Sequence, residues 1–116
     1  MIVFQDMVNC GKYGFVADTA LPTIGIKKRW DRKGSPRLKS QFEADCRQTI
    51  EALYNHPCVC YYTIFNEGWG QYDADRIYGE LKQQDPSRIW DATSGWFAKK
   101  DSDVDSEHIY FRKINL

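Results

Sequence analysis

The chain contains four short apolar segments separated by longer polar stretches. The most regular covers residues 58–65, which carry no charge and are rich in β-branched and aromatic side chains. This composition is typical of a strand buried on both faces of a parallel sheet. The other apolar segments cover residues 2–5, 88–92 and 104–111. The pattern therefore predicts four strands.

Two helices are predicted between these strands. Apolar residues at helical spacing follow a capping box formed by Ser40 and Glu43, and Pro57 ends this helix. Asp73 is placed to cap a second amphipathic stretch, which ends before Pro86. Strands that alternate with helices predict an α/β fold with a parallel sheet and crossover helices.

Polar side chains follow the predicted strands, at the edge where parallel α/β folds carry their active sites. Asp6 follows the first strand, and Asn66 and Glu67 follow the second, directly before two glycines. Consecutive strand residues face opposite sides, so Asn66 and Glu67 reach one site only if the strand ends or bulges between them. Alternatively, Glu67 is a solvated loop residue or a helix cap, and Asp6 a turn or cap residue.

Charge and hydropathy exclude few functions. Sixteen basic and sixteen acidic residues cancel, so nothing points to a nucleic-acid partner or an anionic membrane. No apolar run approaches the roughly 20 residues that a membrane-spanning helix needs. Aromatic residues make up 15% of the chain, which suits contacts with sugar rings but also suits an ordinary core.

The cysteines are interpreted as free thiols. Cys10, Cys46, Cys58 and Cys60 lack a Cys-x-x-Cys spacing. A zinc site that used His56, Cys58 and Cys60 would lack a fourth ligand and the usual spacing, so no metal or cofactor is predicted. Free cysteines favour a cytoplasmic location, although the sequence does not determine one.

One stretch resembles a known family. Asn-His-Pro at 55–57 and Tyr-Tyr-Thr-Ile-Phe-Asn-Glu-Gly-Trp-Gly-Gln at 61–71 resemble the acid/base segment of glycoside hydrolase family 2. That family includes β-galactosidases, β-glucuronidases and β-mannosidases. The resemblance implies that the segment is barrel strand 4, that Glu67 is the general acid/base, and that Asn66 hydrogen-bonds the sugar 2-hydroxyl.

The resemblance extends from residue 2 to about residue 112. It implies a fragment of a (β/α)8 TIM barrel, about strands 3 to 6, because a complete barrel typically needs about 250 residues. It also places further residues near the sugar. These substrate-binding candidates are Asp6, Trp69, Ser94, Trp96, His108 and Tyr110. Apart from the resemblance, Tyr13 and Trp30 in the long stretch 7–38 could line a sugar subsite, or this stretch is a solvated basic loop.

The resemblance implies that residues 1–116 are one incomplete segment of a retaining β-glycosidase that acts on β-galactoside-like substrates. The family's nucleophile is a glutamate on strand 7, which this chain does not contain, so the isolated fragment is expected to be inactive. Two open sheet edges predict a homo-oligomer of the fragment. Two alternatives stay open: a non-catalytic carbohydrate-binding module and a flavodoxin-like interaction domain.

Overall fold

The computed structural model describes residues 1–8, 11, 13–26 and 34–110. These residues form a small α/β domain with a three-stranded parallel sheet, which confirms the predicted fold class and crossover helices. The long stretch between the first two strands contains a short helical segment that the sequence pattern did not predict. In chain order the elements are β1 (Val3–Asp6), a π-helical turn (Val16–Ala20), α1 (Leu21–Thr23), α2 (Pro36–Leu53), β2 (Val59–Asn66), α3 (Ala74–Gln84) and β3 (Ile89–Ser94).

The three strands lie side by side in the order in which they occur in the chain. Both pairings are parallel, with β2 in the centre. In the register, Asp6 lies beside Thr63 and Asn66 lies beside Ser94. Parallel strands end at the same edge of a sheet, so the polar residues that follow β2 and β3 are brought close together.

The core lies between the sheet and the helices α2 and α3. Tyr62 of β2 and Trp90 of β3 are fully buried, and their rings stack with centroids 4.6 Å apart. Phe65 stacks on Phe42 of α2 at 5.2 Å. Each such aromatic pair contributes about 0.5–1.5 kcal/mol beyond the burial of its apolar area. The aromatic run of β2 therefore fixes both the neighbouring strand and the overlying helix.

The helix starts differ from the sequence-based prediction. Helix α2 begins at Pro36, with Ser35 as N-cap, and not at Ser40. Proline fits the first helical position because its missing amide hydrogen would be unpaired there anyway. Asp73 is the N-cap of α3, but it has a left-handed backbone and its carboxylate accepts a hydrogen bond from Arg76 Nε instead of capping the helix.

The predicted fourth strand is wrong as a regular strand over the described residues 104–110. Only Glu107 pairs with the sheet there, through an isolated parallel bridge to Gly95. The segment nevertheless follows the outer edge of β3. Asp103 N donates to Trp90 O at 3.0 Å, and Gly95 N donates to Ser106 O at 3.1 Å. Phe111 lies outside the described residues.

Side chains prevent a regular ladder along this edge. The backbone amide of Trp90 donates to Asp103 Oδ2 at 2.8 Å, and the amide of Ala92 donates to Ser102 Oγ at 3.0 Å. Short polar side chains of this kind compete with backbone carbonyls for the donors of a strand. The sequence pattern at 104–111 predicted a strand from its apolar residues alone. It carries no information about side chains that compete for the backbone amides of β3.

Within the described residues, no helix has the length and apolar character needed to cross a membrane.

Arg88 joins three parts of the fold. Its guanidinium donates to the carboxylate of Asp85 at 2.7 Å, to Tyr54 O at 2.6 Å and to Val59 O at 3.1 Å. It thus connects the end of α2, the start of β2 and the turn after α3. Asp85 is fully buried, so Arg88 neutralises a carboxylate that water does not reach.

We expect Arg88→Ala to lower the free energy of unfolding by about 3–5 kcal/mol, because it leaves the buried Asp85 carboxylate unpaired. Urea unfolding followed by circular dichroism measures the change. Arg47→Ala is the matched control. Arg47 pairs with Glu80 at 3.0 Å with both side chains more than 40% exposed, so its loss should cost no more than about 1 kcal/mol. Equal effects of the two changes would contradict the assigned role of Arg88.

Candidate active site

The strand β2 ends between Asn66 and Glu67. Asn66 is its last residue, and Glu67 has a left-handed backbone with φ of 52°. A left-handed conformation costs a non-glycine residue roughly 1–2 kcal/mol. Glu67 is held in this conformation by a hydrogen bond from its backbone amide to Ser94 O at 2.8 Å. The strand thus ends between Asn66 and Glu67, which is one of the two ways in which both side chains can reach the same site. The Glu67 side chain no longer follows the alternation of side-chain directions along β2.

One oxygen of the Glu67 carboxylate is held by two side chains. Oε1 accepts a hydrogen bond from Tyr110 Oη at 2.5 Å and lies 2.8 Å from His108 Nδ1. No described residue hydrogen-bonds to Oε2. The side chain is only 13% exposed. Both groups on Oε1 belong to the segment that follows β3, so this segment returns to the end of β2 at the carboxylate.

Tyr110 is a donor that resists ionisation. The hydrogen bond to Glu67 is the main cause of a raised pKa of Tyr110, and partial burial and the negative charge of Glu67 raise that pKa further. Tyr110 therefore keeps its hydroxyl proton, and keeps donating to Oε1, at any pH near neutrality.

The imidazole of His108 lies against the backbone of Gly95. Gly95 has φ of 85°, and a Cβ atom at this position would lie 2.4 Å from His108 Cγ. Only glycine leaves room for the ring there. The far ring nitrogen, Nε2, lies 3.1 Å from Ser94 Oγ. Ser94, His108 and Glu67 thus form a continuous line of polar contacts.

Trp96 supports the same segment. It is buried, its indole Nε1 donates to His108 O at 3.3 Å, and its ring contacts Tyr110 edge-on with centroids 6.0 Å apart. Trp96, His108 and Tyr110 also line a small cleft of about 70 Å³ beside α1. Aromatic side chains that line a cleft can pack against part of a sugar ring.

Five of the residues singled out from the sequence lie together here, namely Glu67, Ser94, Trp96, His108 and Tyr110. Asn66 lies at the same strand end. Asp6 ends β1 and is exposed, and its side chain makes no hydrogen bond to Glu67 in the described structure. Trp69 contacts Tyr13 edge-on at 4.8 Å, whereas Trp30 lies outside the described residues. The binding roles of all these residues remain predictions.

Sequence reasoning missed a buried polar cluster next to this site. Asp91 of β3 is 1% exposed. Its Oδ2 accepts hydrogen bonds from Tyr61 Oη at 2.9 Å and Ser106 Oγ at 2.5 Å, and its Oδ1 accepts one from Thr93 N at 3.3 Å. Burial, followed by the hydrogen bond to Asp91, raises the pKa of Tyr61 well above its usual range. An aspartate inside an apolar strand was the signal that could have revealed this cluster.

Cys58 and Cys60 are free thiols, Cys46 is buried in the core, and Cys10 lies outside the described residues. Within the described ranges, no group of three His, Cys, Asp or Glu side chains is placed to hold a metal ion.

The raised pKa of Tyr110 leads to a pH prediction. Ionisation of Tyr110 should occur above the ordinary tyrosine value of about 10, because it would place a phenolate beside the Glu67 carboxylate. Phenolate absorbance as a function of pH, taken as the difference between the protein and its Tyr110→Phe variant, isolates this group. Glu67→Gln should shift the Tyr110 titration to lower pH. An unchanged titration would show that the two groups do not interact.

The comparisons with known proteins found similarity to two β-galactosidases. A β-galactosidase of Klebsiella pneumoniae and the β-galactosidase of Klebsiella pneumoniae strain 342 are each 31% identical to this chain over 81 residues. The match covers 68% of the chain and 8% of each enzyme, so the chain corresponds to a small part of these relatives. No model of a protein family matches. The similarity supports a distant, β-galactosidase-like relationship.

Proposed function

We propose that this chain forms the acid/base-bearing part of a retaining β-glycosidase with β-galactosidase-like specificity, within a longer protein. The proposal assigns the chain to about strands 3 to 6 of a (β/α)8 barrel. Three consecutive parallel strands with helical crossovers, and a fourth segment along the outer edge of β3, are consistent with this assignment. The position of Glu67 at a strand's carboxyl end also supports it, because barrel enzymes carry their chemistry there.

The observation that carries the proposal is the asymmetry of the Glu67 carboxylate. Oε1 contacts two side chains, while Oε2 has no hydrogen bond from a described residue. An oxygen that already accepts hydrogen bonds is a poor site for an added proton, so the protonated form of Glu67 carries its proton on Oε2. A general acid needs this arrangement: one oxygen fixed by the protein and the other free to reach the substrate.

The reaction follows from this arrangement. Glu67 gives its proton from Oε2 to the glycosidic oxygen, the bond from that oxygen to the anomeric carbon breaks, and a carboxylate nucleophile bonds to the anomeric carbon. Glu67, now ionised, then removes a proton from water as the water displaces the nucleophile. Asn66 hydrogen-bonds the sugar 2-hydroxyl, and the exposed ring of Tyr110, supported by Trp96, contacts the sugar.

The burial of Glu67 favours catalysis over a purely sugar-binding module. A binding module gains little from a carboxylate that is 13% exposed and held by two side chains at one oxygen.

The exposed apolar residues of the β1 edge, Ile2, Phe4 and Val8, suit a surface that is covered in the assembled protein. Either the rest of a barrel or a second copy of the chain would cover it, so the predicted homo-oligomer stays a prediction.

The test is Glu67→Gln in the full protein that carries this chain, because glutamine keeps the shape but has no proton to give. Turnover of β-galactosides with poor leaving groups should fall by about 10²–10⁴-fold. Turnover of activated aryl β-galactosides should fall much less in the first step, because their leaving groups depart without protonation. The measurement is kcat/KM for a series of aryl galactosides of graded leaving-group acidity.

Glu80→Gln is the control for this experiment. It makes the same chemical change on the exposed face of α3, away from the strand ends. It should leave the dependence on the leaving group unchanged. Equal losses on poor and activated substrates in Glu67→Gln would assign Glu67 a structural role instead.

A second prediction concerns the nucleophile, which we place outside residues 1–116. The purified 116-residue chain should hydrolyse no aryl galactoside, because a retaining mechanism needs a second carboxylate about 5–5.5 Å from the first. Turnover by this chain that disappears in Glu67→Gln would contradict the proposal. The nucleophile would then have to be sought among Asp6, Asp91 and Glu107.

A further inference from the structure

The contacts beyond Glu67 carry an inference about how the acid proton is positioned. His108 has one ring nitrogen 2.8 Å from Glu67 Oε1 and the other 3.1 Å from Ser94 Oγ. A neutral imidazole has one nitrogen that donates and one that accepts. The partner of each nitrogen therefore decides which form the ring takes.

The Glu67 side favours a hydrogen on Nδ1. An ionised carboxylate oxygen only accepts hydrogen bonds, so Nδ1 must donate to Oε1. When Glu67 is protonated, however, the ring has a choice. In one tautomer the hydrogen stays on Nδ1, which donates to Oε1, and the acid proton of Glu67 stays on Oε2. In the other tautomer Nδ1 carries a lone pair and accepts a hydrogen bond from Oε1, so the acid proton lies on Oε1. In the second arrangement the proton faces the histidine and not the substrate.

The contact of Nε2 with Ser94 decides between these two arrangements. Ser94 has one hydroxyl hydrogen, and His108 Nε2, 3.1 Å away, can accept it, whereas Ser106 Oγ, 3.4 Å away, is placed as a donor to Ser94 Oγ. Ordinary O–H···O bonds span about 2.5–3.0 Å, so the contact with Ser106 is long. Ser94 is therefore best placed to donate to Nε2.

We propose that Ser94 is a positioning residue for the acid/base Glu67. Its hydroxyl donates to Nε2 of His108, keeps the hydrogen of the imidazole on Nδ1, and so confines the transferable proton to Oε2 of Glu67. This inference rests on the proposed function. It goes beyond that function by assigning Ser94 to the acid group, whereas the sequence assigned Ser94 to the sugar.

The direct test is the tautomer of His108. In the full protein labelled with ¹⁵N-histidine, the His108 signals are identified by their loss in His108→Asn. We expect a protonated Nδ1 and an unprotonated Nε2 at the pH of maximal activity. A protonated Nε2 in the unmodified protein, as the other tautomer or as imidazolium, would overturn the proposal. This readout does not depend on the reaction, so it stands even if the enzymatic proposal fails.

The kinetic test uses Ser94→Ala. Losing one neutral hydrogen bond should lower kcat on substrates with poor leaving groups by about three- to tenfold. Activated aryl galactosides should be little affected, and KM should not change. Ser94→Thr should restore the activity because it keeps the hydroxyl, and Ser94→Cys, a weaker donor of similar shape, covers the case in which threonine does not fit.

Ser102→Ala is the matched control. Ser102 lies on the same segment, and its hydroxyl bonds to the backbone of β3, but it does not contact His108. It should leave the leaving-group dependence unchanged. Equal losses on both substrate classes in Ser94→Ala, or no loss at all while Glu67→Gln shows its selective loss, would overturn the role of Ser94 and leave the proposed function intact. Failure of Glu67→Gln to show that loss would overturn the proposed function and, with it, the catalytic consequence of Ser94, whereas the tautomer of His108 would still be tested by its ¹⁵N signals.

Discussion

The pairing of Glu67 with the segment after β3 is the interaction on which the candidate site depends. A glutamate at the end of a strand is ordinarily a mobile, solvated side chain. Here Oε1 is held by His108 and Tyr110, and the backbone amide is held by Ser94 O. These contacts compensate the unfavourable left-handed backbone of Glu67. They also give the two carboxylate oxygens different surroundings.

The chemistry that we propose needs this difference between the two oxygens. An acid/base group must hold a proton where the substrate can take it and must receive one later from water at the same place. Fixing one oxygen, while the other has no hydrogen bond from a described residue, achieves this with few side chains. The hydroxyl of Ser94 lies closer to His108 Nε2, at 3.1 Å, than to Ser106 Oγ, at 3.4 Å, and Ser106 donates to the buried Asp91.

The relationship to β-galactosidase and the geometry are independent lines of support. The similarity covers 8% of each relative, so it indicates a kind of enzyme and not a complete mechanism. The geometry identifies a carboxylate suited to proton transfer but does not identify a sugar. Together they support a β-glycosidase-like function.

The sequence by itself determined most of the local elements of this protein, but not the short helical segment before α2 or the path of residues 104–110. Periodicity and composition predicted β1, β2, β3, α2 and α3, because side chains alternate in strands and repeat every three to four residues in helices whatever lies around them. The polar residues Asn66 and Glu67 after an apolar strand also predicted where the site would form.

Only the tertiary structure decided which side chains meet. His108 lies 41 residues from Glu67 in the chain, and their contact depends on the path of the segment that follows β3. That path is set by side chains such as Asp103, which bond to the backbone of β3 and replace the regular strand predicted there. The burial of Asp91 depends in the same way on what covers it. Such contacts join residues far apart in sequence, and no local pattern of hydrophobic and polar residues records them.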